Sequence, residues 1–256
     1  MKRLHTIYSS IIFILVFTLE FPFFMILLFN KKWKKLSYRL NNTWAYFFFT
    51  FSFIPYAIEY RFKPDKKQQY IFCANHFSIL DIPTMGLVIH QPFAFVGKSS
   101  FAKKPFFGFM YSKFHILVNR ESLKDRYNSL IKSLRAIDEG YSLAIFPEGG
   151  IKSKTPPYLR EFKDGAFRAA IEKQIPIIPV TIGDNWRALP DDGEVLLRRI
   201  KNRIILHPPI ETTGLSLADV DDLKNKTFQV IQKQLKAMHG DNFINTARPK
   251  KAVVVV

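Results

Sequence analysis

His76 and Asp81 stand five residues apart in the segment Asn75-His76-Phe77-Ser78-Ile79-Leu80-Asp81. An imidazole that removes a proton from an alcohol needs a fixed ring and compensation for the charge it gains. A buried Asp on its far nitrogen supplies both. Residues five apart diverge by roughly 140° around a helix, so the pair does not share a helical face. It suits a strand ending in a turn, with His at the turn and Asp in the first turn of the next helix. The apolar run Tyr70-Ile71-Phe72-Cys73-Ala74 provides that strand. A buried His beside a helix-starting Asp has the same spacing, so the weight of the pair depends on its company.

That company comes as further apolar runs, each ending in a polar or turn residue. Leu143-Ala144-Ile145 runs into Phe146-Pro147-Glu148-Gly149-Gly150, a tight turn presenting one carboxylate. Ile116-Leu117-Val118-Asn119 ends in Arg120. Phe162-Lys163-Asp164-Gly165-Ala166 precedes the Pro-rich strand Ile175-Pro176-Ile177-Ile178-Pro179-Val180.

With these segments in order, the chain resembles the glycerolipid acyltransferases of the 1-acylglycerol-3-phosphate acyltransferase type. NHFSILD matches the NHxSxxD block of that family, the strand ending at Arg120 its second block, FPEG its third, and the strand 175–180 its fourth. The resemblance covers roughly residues 40–235. Two places depart from it. After FPEG the family usually reads Thr-Arg, whereas here Gly150-Ile151 follow, with Lys152 and Lys154 next. The second block usually carries a Gly before its Arg and an Asp next to it, where this chain has Phe114-His115 and Asn119. These departures bear on the acceptor more than on the reaction type.

The resemblance implies acyl transfer from a thioester, acyl-CoA or acyl-carrier protein, to the free hydroxyl of lysophosphatidic acid. His76 would be the general base and Asp81 its orienting partner, with no acyl-enzyme, metal or cofactor required. Arg120 and Lys163 are candidates for the acceptor phosphate, with surface solvation or an ion pair to Glu148 or Asp164 as the other reading. Glu148 would hold the acceptor's glycerol hydroxyl or anchor the site's loops. Backbone N–H groups at Gly149-Gly150 are a candidate oxyanion site. Glycerol 3-phosphate, a lysophospholipid or a lyso-aminolipid remain alternative acceptors, and a non-catalytic membrane lipid-binding protein is the alternative of another class.

Other nucleophiles and ligands are poorly placed. Ser78 lacks a Gly-x-Ser-x-Gly elbow. Cys73, the single cysteine, reads as a small core side chain and allows no disulfide within the chain. His5, His90, His115, His207 and His239 show no metal-ligand spacing, so no metal is expected.

The formal charge of +17 suits a polyanion or an anionic lipid surface. The 26 Phe residues, dense near the N-terminus, decide for the membrane and against nucleic acid. Residues 4–30 are almost wholly apolar, interrupted by Glu20-Phe21-Pro22, which is expected to break the helix. Lys31-Lys32-Trp33-Lys34-Lys35 follows and suits an anionic interface. Trp44 to Ile58 forms a second, shorter apolar stretch, which also suits a buried amphipathic helix of the catalytic domain. A single span would place basic residues on both sides, so a hairpin, or a kinked pair lying in one leaflet, is preferred, with the protein on the cytoplasmic face.

The remaining chain alternates strands (near 69–74, 93–97, 115–119, 142–146, 177–182 and 202–207) with helices (near 81–89, 105–113, 122–139, 164–173 and 216–238). In 122–139, Leu123, Tyr127, Leu130, Ile131, Leu134 and Ile137 fall at helical spacing and are expected in the core, as are Val220, Leu223, Phe228, Ile231 and Leu235 of the last helix. This alternation predicts an α/β fold with a central mixed, mainly parallel sheet flanked by helices, behind an N-terminal membrane-associated helical segment. The expected divisions are membrane-anchoring helices at 1–60, an acyltransferase domain at 61–240 and a disordered tail at 241–256.

Overall fold

The computed structural model describes residues 2–104, 106–151, 153 and 155–240. The tail expected at 241–256, Lys152 and Lys154 lie outside the described residues.

Two long helices lead, α1 (Lys2–Leu27) and α3 (Ser37–Phe51), with one short turn, α2 (Lys31–Lys34), between them. The alternating part follows as β1 (Tyr56–Tyr60), β2 (Ile71–Ala74), α4 (Asp81–Val88), β3 (Phe93–Lys98), α5 (Phe107–Phe114), β4 (Ile116–Val118), α6 (Leu123–Asp138) and β5 (Ser142–Ile145). It continues with α7 (Gly165–Lys173), β6 (Ile177–Ile182), α8 (Asn185–Ala188), β7 (Asn202–Leu206) and α9 (Val220–His239).

Among the described residues, seven strands form one sheet in the order β1-β7-β6-β2-β5-β3-β4. Every pairing is parallel except β6 with β7. β2 and β6 are buried along their whole length, which requires apolar side chains on both faces and explains their unbroken apolar runs. One face packs on α3 and α4 through Phe48, Phe49 and Met85, the other on α7 and α9 through Phe167, Ala170, Ile231 and Leu235. The five neighbouring strands β6, β2, β5, β3 and β4 all run the same way. Their C-terminal ends therefore lie along one edge, where ligands bind in open α/β sheets.

Four expectations need correction. The sheet begins at Tyr56, so a boundary at residue 60 falls behind its first strand. Tyr56–Tyr60 pairs in parallel with Asn202–Leu206, but it is a half-exposed edge strand directly behind a continuous aromatic run, which hides its period of two. Pro22 does not break α1. It lies within the last two turns, where it removes a single hydrogen bond. Phe17, Phe21 and Phe24 pack on Phe107, Phe106 and Phe114 and hold that end in place. The stripe of α6 is core only in its second half. Leu123 and Tyr127 are 75% and 65% exposed, because the first turns of the helix overhang the edge strand β4. No element is expected between 182 and 202, yet the helical turn α8 follows β6.

Candidate active site

At the end of β2 the Asn75 side chain continues the sheet by one residue. Its Nδ2 donates to the Ile182 carbonyl (2.9 Å), and its Oδ1 accepts from the Ile182 N–H (2.8 Å). The chain can then leave the sheet at His76. Asp81, the first residue of α4, reaches back over this turn. Its Oδ2 accepts from the backbone N–H groups of Phe77 (2.8 Å) and Ser78 (2.9 Å) and from His76 Nδ1 (3.0 Å). An ionised carboxylate only accepts, so Nδ1 carries the proton and Nε2 is the basic nitrogen. His76 Nε2 makes no hydrogen bond to any described residue. The ring stacks on Phe146, with centroids 4.1 Å apart. Asp81 is fully buried and His76 is 7% exposed. This arrangement is that of an oriented general base with one ring nitrogen left open among the described residues.

Ser78 and Cys73 take the structural roles expected of them. Ser78 Oγ donates to the Leu189 carbonyl (2.7 Å). Cys73 is buried in the sheet, and burial pushes its thiol well up, away from reactivity.

Glu148 follows β5, the neighbour of β2. It is 2% exposed, and both carboxylate oxygens are taken by backbone. Oε1 accepts the His76 N–H (2.8 Å) and Oε2 the Arg160 N–H (3.1 Å). Of the two roles expected for it, this geometry is that of a loop anchor. Burial pushes its carboxyl up to about 7, with the two N–H groups pulling the other way and Asp81 adding to the rise.

Gly149 adopts φ +74° to close the turn, a conformation that favours glycine. Its N–H bonds to the Phe146 carbonyl (3.0 Å), so Gly149 itself offers no donor to an oxyanion. Its carbonyl accepts from Arg120 Nη1 (2.5 Å), and the Lys163 stem passes 3.8 Å from where a Gly149 Cβ would stand. The sheet thus brings Arg120, at the end of β4, and Lys163, before α7, to the same turn. Arg120 is half-buried and Lys163 exposed, and the Arg120 guanidinium keeps further donors of its planar fork for a ligand.

Beside this edge lies an apolar cavity of about 490 Å³. α1, α3, α4 and α5 enclose it with Phe13, Trp44, Ile82 and Met110 among its walls. Ile79 and Leu80, two of the four residues between His76 and Asp81, line it as well, and so does Phe95, which stacks on Phe146. Cavity and catalytic turn therefore share a wall. Gly97 leaves room there for Tyr111, since a Cβ at that position would lie 1.9 Å from the Tyr111 hydroxyl. His115 also lines the cavity. Burial, with Lys34 nearby, pushes its ring down to about 3, and Nδ1 accepts from the Phe95 N–H (3.3 Å).

The Acyltransferase family model matches residues 57–183. A 1-acyl-sn-glycerol-3-phosphate acyltransferase of Haemophilus influenzae is 30% identical over 186 residues, 70% of this chain and 74% of that protein. This chain belongs to the 1-acyl-sn-glycerol-3-phosphate acyltransferase family.

The family's enzyme of that name from Escherichia coli is 27% identical over 181 residues, 68% of this chain and 71% of that one. A chloroplastic family member of Brassica napus is 27% identical over 225 residues, and this chain spans 62% of its length. The crystal structure of the LPA acyltransferase PlsC from Thermotoga maritima matches with a TM-score of 0.76 at 19% identity, covering 94% of this chain and 98% of that one. That likeness shows the fold, including the leading helices. The four family blocks lie at the ends of β2, β4 and β5 and along β6, so residues spread over more than 100 positions meet at one edge. Sequence reasoning did not single out Phe146 as a ring partner, nor Asp184-Asn185 after β6. The signal for the latter was present: like His76, Arg120 and Glu148, they are polar residues directly behind an apolar strand.

Proposed function

We propose that this chain transfers a fatty acyl group from an acyl thioester to the free hydroxyl of 1-acyl-glycerol-3-phosphate, forming phosphatidic acid. Family membership supports the reaction. One observation carries the assignment of its parts: a His76 ring with Nδ1 held by Asp81, Nε2 free, and an apolar cavity along the same turn. The acceptor hydroxyl gives its proton to His76 Nε2 while its oxygen bonds to the thioester carbonyl carbon. The tetrahedral intermediate collapses, the C–S bond breaks, and the leaving thiolate takes the proton from the imidazolium. Asp81 stabilises that imidazolium. Arg120 and Lys163 hold the acceptor phosphate beside Gly149. The cavity takes the acyl chain, with about 0.8 kcal/mol for each methylene buried. Acyl-CoA and acyl-carrier protein both fit the donor role, since both are acidic and the chain is basic.

The test is acyl transfer to lysophosphatidic acid or glycerol 3-phosphate by membranes carrying wild type or His76→Ala. Phosphatidic acid formed from lysophosphatidic acid and lost in the variant is the expected result. Undiminished transfer by His76→Ala would overturn the assigned base.

We further propose that α1 lies in one leaflet instead of crossing the bilayer. It is long and apolar enough to cross by length and composition, but both of its ends hold to the same body. His5 Nε2 bonds to the Ser52 carbonyl (2.8 Å) and Thr6 Oγ1 accepts the Leu197 N–H (2.9 Å), while Phe24 packs on Phe114. Leu4, Ile7, Ile11, Leu15, Leu19 and Phe23 form an exposed apolar stripe along its outer side, the side that would meet lipid. The basic segment after it suits an anionic cytoplasmic surface. Cysteines introduced at Leu4 and Phe29 should react with a membrane-impermeant thiol reagent from one and the same side. Labelling from opposite sides would show a span.

A further inference from the structure

We propose that Asn185 is a positioning residue of the catalytic pair, holding the Asp81 carboxylate from behind so that Asp81 can hold His76. The proposal rests on the assignment of His76 and Asp81 as that pair.

The carboxylate is engaged unevenly. Oδ2 accepts from His76 Nδ1, Phe77 N and Ser78 N, whereas Oδ1 has one partner, Asn185 Nδ2 at 3.0 Å. Without that N–H, a lone oxygen of a fully buried carboxylate would face the interior unmet. The carboxylate could then rotate or shift to satisfy it, and the His76 Nδ1 contact would go with it.

The chemistry of the surroundings dictates the orientation of the amide. Asn185 Nδ2 also donates to Thr84 Oγ1 (2.8 Å), and the Thr84 hydroxyl proton is already engaged with the Leu80 carbonyl (2.8 Å). Both neighbours of Nδ2 are therefore acceptors, and only the nitrogen side of the amide can face them. The oxygen side has no such support. Asn185 Oδ1 is buried without a hydrogen-bond partner among the described residues. A leucine there would remove the idle oxygen but also both N–H donors, leaving Asp81 Oδ1 unmet, and an aspartate would set a second carboxyl against Asp81. An asparagine keeps the two N–H donors, adds no charge and tolerates one idle oxygen, which is what a carboxylate holder needs.

Its own support comes from elsewhere in the fold. Asn185 opens α8, and the preceding Asp184 is bound by Arg203 through Nε (2.8 Å) and Nη2 (3.1 Å), by Arg187 Nη1 (3.2 Å), and by Asn202 Oδ1 on its N–H (3.1 Å). Asn185 is thus anchored through β7, at the other side of the sheet from Glu148. Two strands flanking β2 brace the same turn, β5 through Glu148 on the His76 backbone and β6 through Asn185 on Asp81.

The experiment compares the full-length membrane enzyme with Asn185→Leu and the isosteric Asn185→Asp, alongside Asp81→Asn. Asn185→Leu fills the site without a donor, and Asn185→Asp replaces the amide donor by a second carboxyl against Asp81. Each is expected to lower kcat by about tenfold to a hundredfold, as loss of an orienting outer partner does, with KM for lysophosphatidic acid within about twofold. In the Asp81→Asn background, Asn185→Leu is expected to add no further loss, because the contact it serves is already gone. Wild-type kcat in a folded variant at 185, or a loss that adds in full to that of Asp81→Asn, would overturn the proposal. So would failure of both variants to fold, which would make Asn185 part of the scaffold. An active Asp81→Asn enzyme would sink the catalytic pair itself, a different outcome from an inactive Asp81→Asn beside an active Asn185→Leu.

Discussion

Glu148 and His76 are joined through the main chain and not through the imidazole: Glu148 Oε1 accepts the His76 N–H at 2.8 Å, while the His76 ring turns to Asp81. One carboxylate positions the backbone of the base and another its side chain. The FPEG block therefore braces the His76 turn by fixing where β2 ends.

Replacing Glu148 by Ala leaves the buried His76 N–H without its acceptor. An unmet buried donor costs about 1–3 kcal/mol, so Glu148→Ala should lose about that much stability. Glu148→Gln keeps one acceptor oxygen and should lose less. The pH dependence separates the two terms. The folded carboxyl is raised to about 7 from 4.5, so the fold binds its proton more tightly than the unfolded chain does. That contribution is fully present below 4.5 and is lost as pH rises through 7. Thermal unfolding in detergent should show Glu148→Gln without this fall between pH 5 and 7. An unchanged slope would remove Glu148 as its source.

His115 acts with the opposite sign. Burial holds its ring neutral down to about 3, against 6.5 when unfolded, so its contribution is complete above 6.5 and is lost as pH falls through about 3. Within that window it removes about 1.4 kcal/mol for each pH unit. His115→Phe loses the acceptor of the Phe95 N–H, a deficit of about 1 kcal/mol at neutral pH, but should decline less on acidification. In denaturation curves the variant, less stable at pH 7, should draw level with wild type at about pH 6 and be the more stable of the two by pH 4; parallel curves would assign the acid limb elsewhere, with His207 the next candidate.

Arg120 and Lys163 can be ranked by kinetics. Arg120 is half-buried and tied to Gly149, whereas Lys163 is exposed. Arg120→Lys keeps the charge and loses the planar fork, which should raise KM for lysophosphatidic acid by about tenfold to a hundredfold, the worth of a charge-assisted bidentate pair. Lys163→Gln should raise it by less than about fivefold, as for an exposed pair. A larger effect at Lys163 would reverse the assignment of the main phosphate contact.

Gly97→Ala should disturb the cavity. The new Cβ overlaps the Tyr111 hydroxyl, so the ring must move, at about 1–3 kcal/mol for overpacking. Tyr111→Leu removes the obstacle and should recover part of that loss when combined with Gly97→Ala. Additive losses in the double variant would mean the two residues do not meet.

Much of this protein was legible in its sequence because its strands are short, apolar and followed by polar turns. Buried parallel strands must be apolar on both faces, so β2, β4, β5 and β6 stand out, and the residues behind them announce the site. His76, Arg120 and Glu148 stand directly behind such strands, Asp81 opens the helix that follows the first of them, and the four family blocks gave their order a chemical meaning. The edge strand β1 was hidden, since Tyr56–Tyr60 is half-exposed and continues an aromatic run. Only the tertiary structure decided that Glu148 braces backbone, that α1 holds to the catalytic body at both ends, and that Asn185 stands behind Asp81. Each of these rests on contacts between residues 47 to 191 positions apart. Local pattern records which face of a strand or helix is apolar. It does not record which distant donor meets a given acceptor, because that depends on strand order, and strand order is settled by packing of the whole chain.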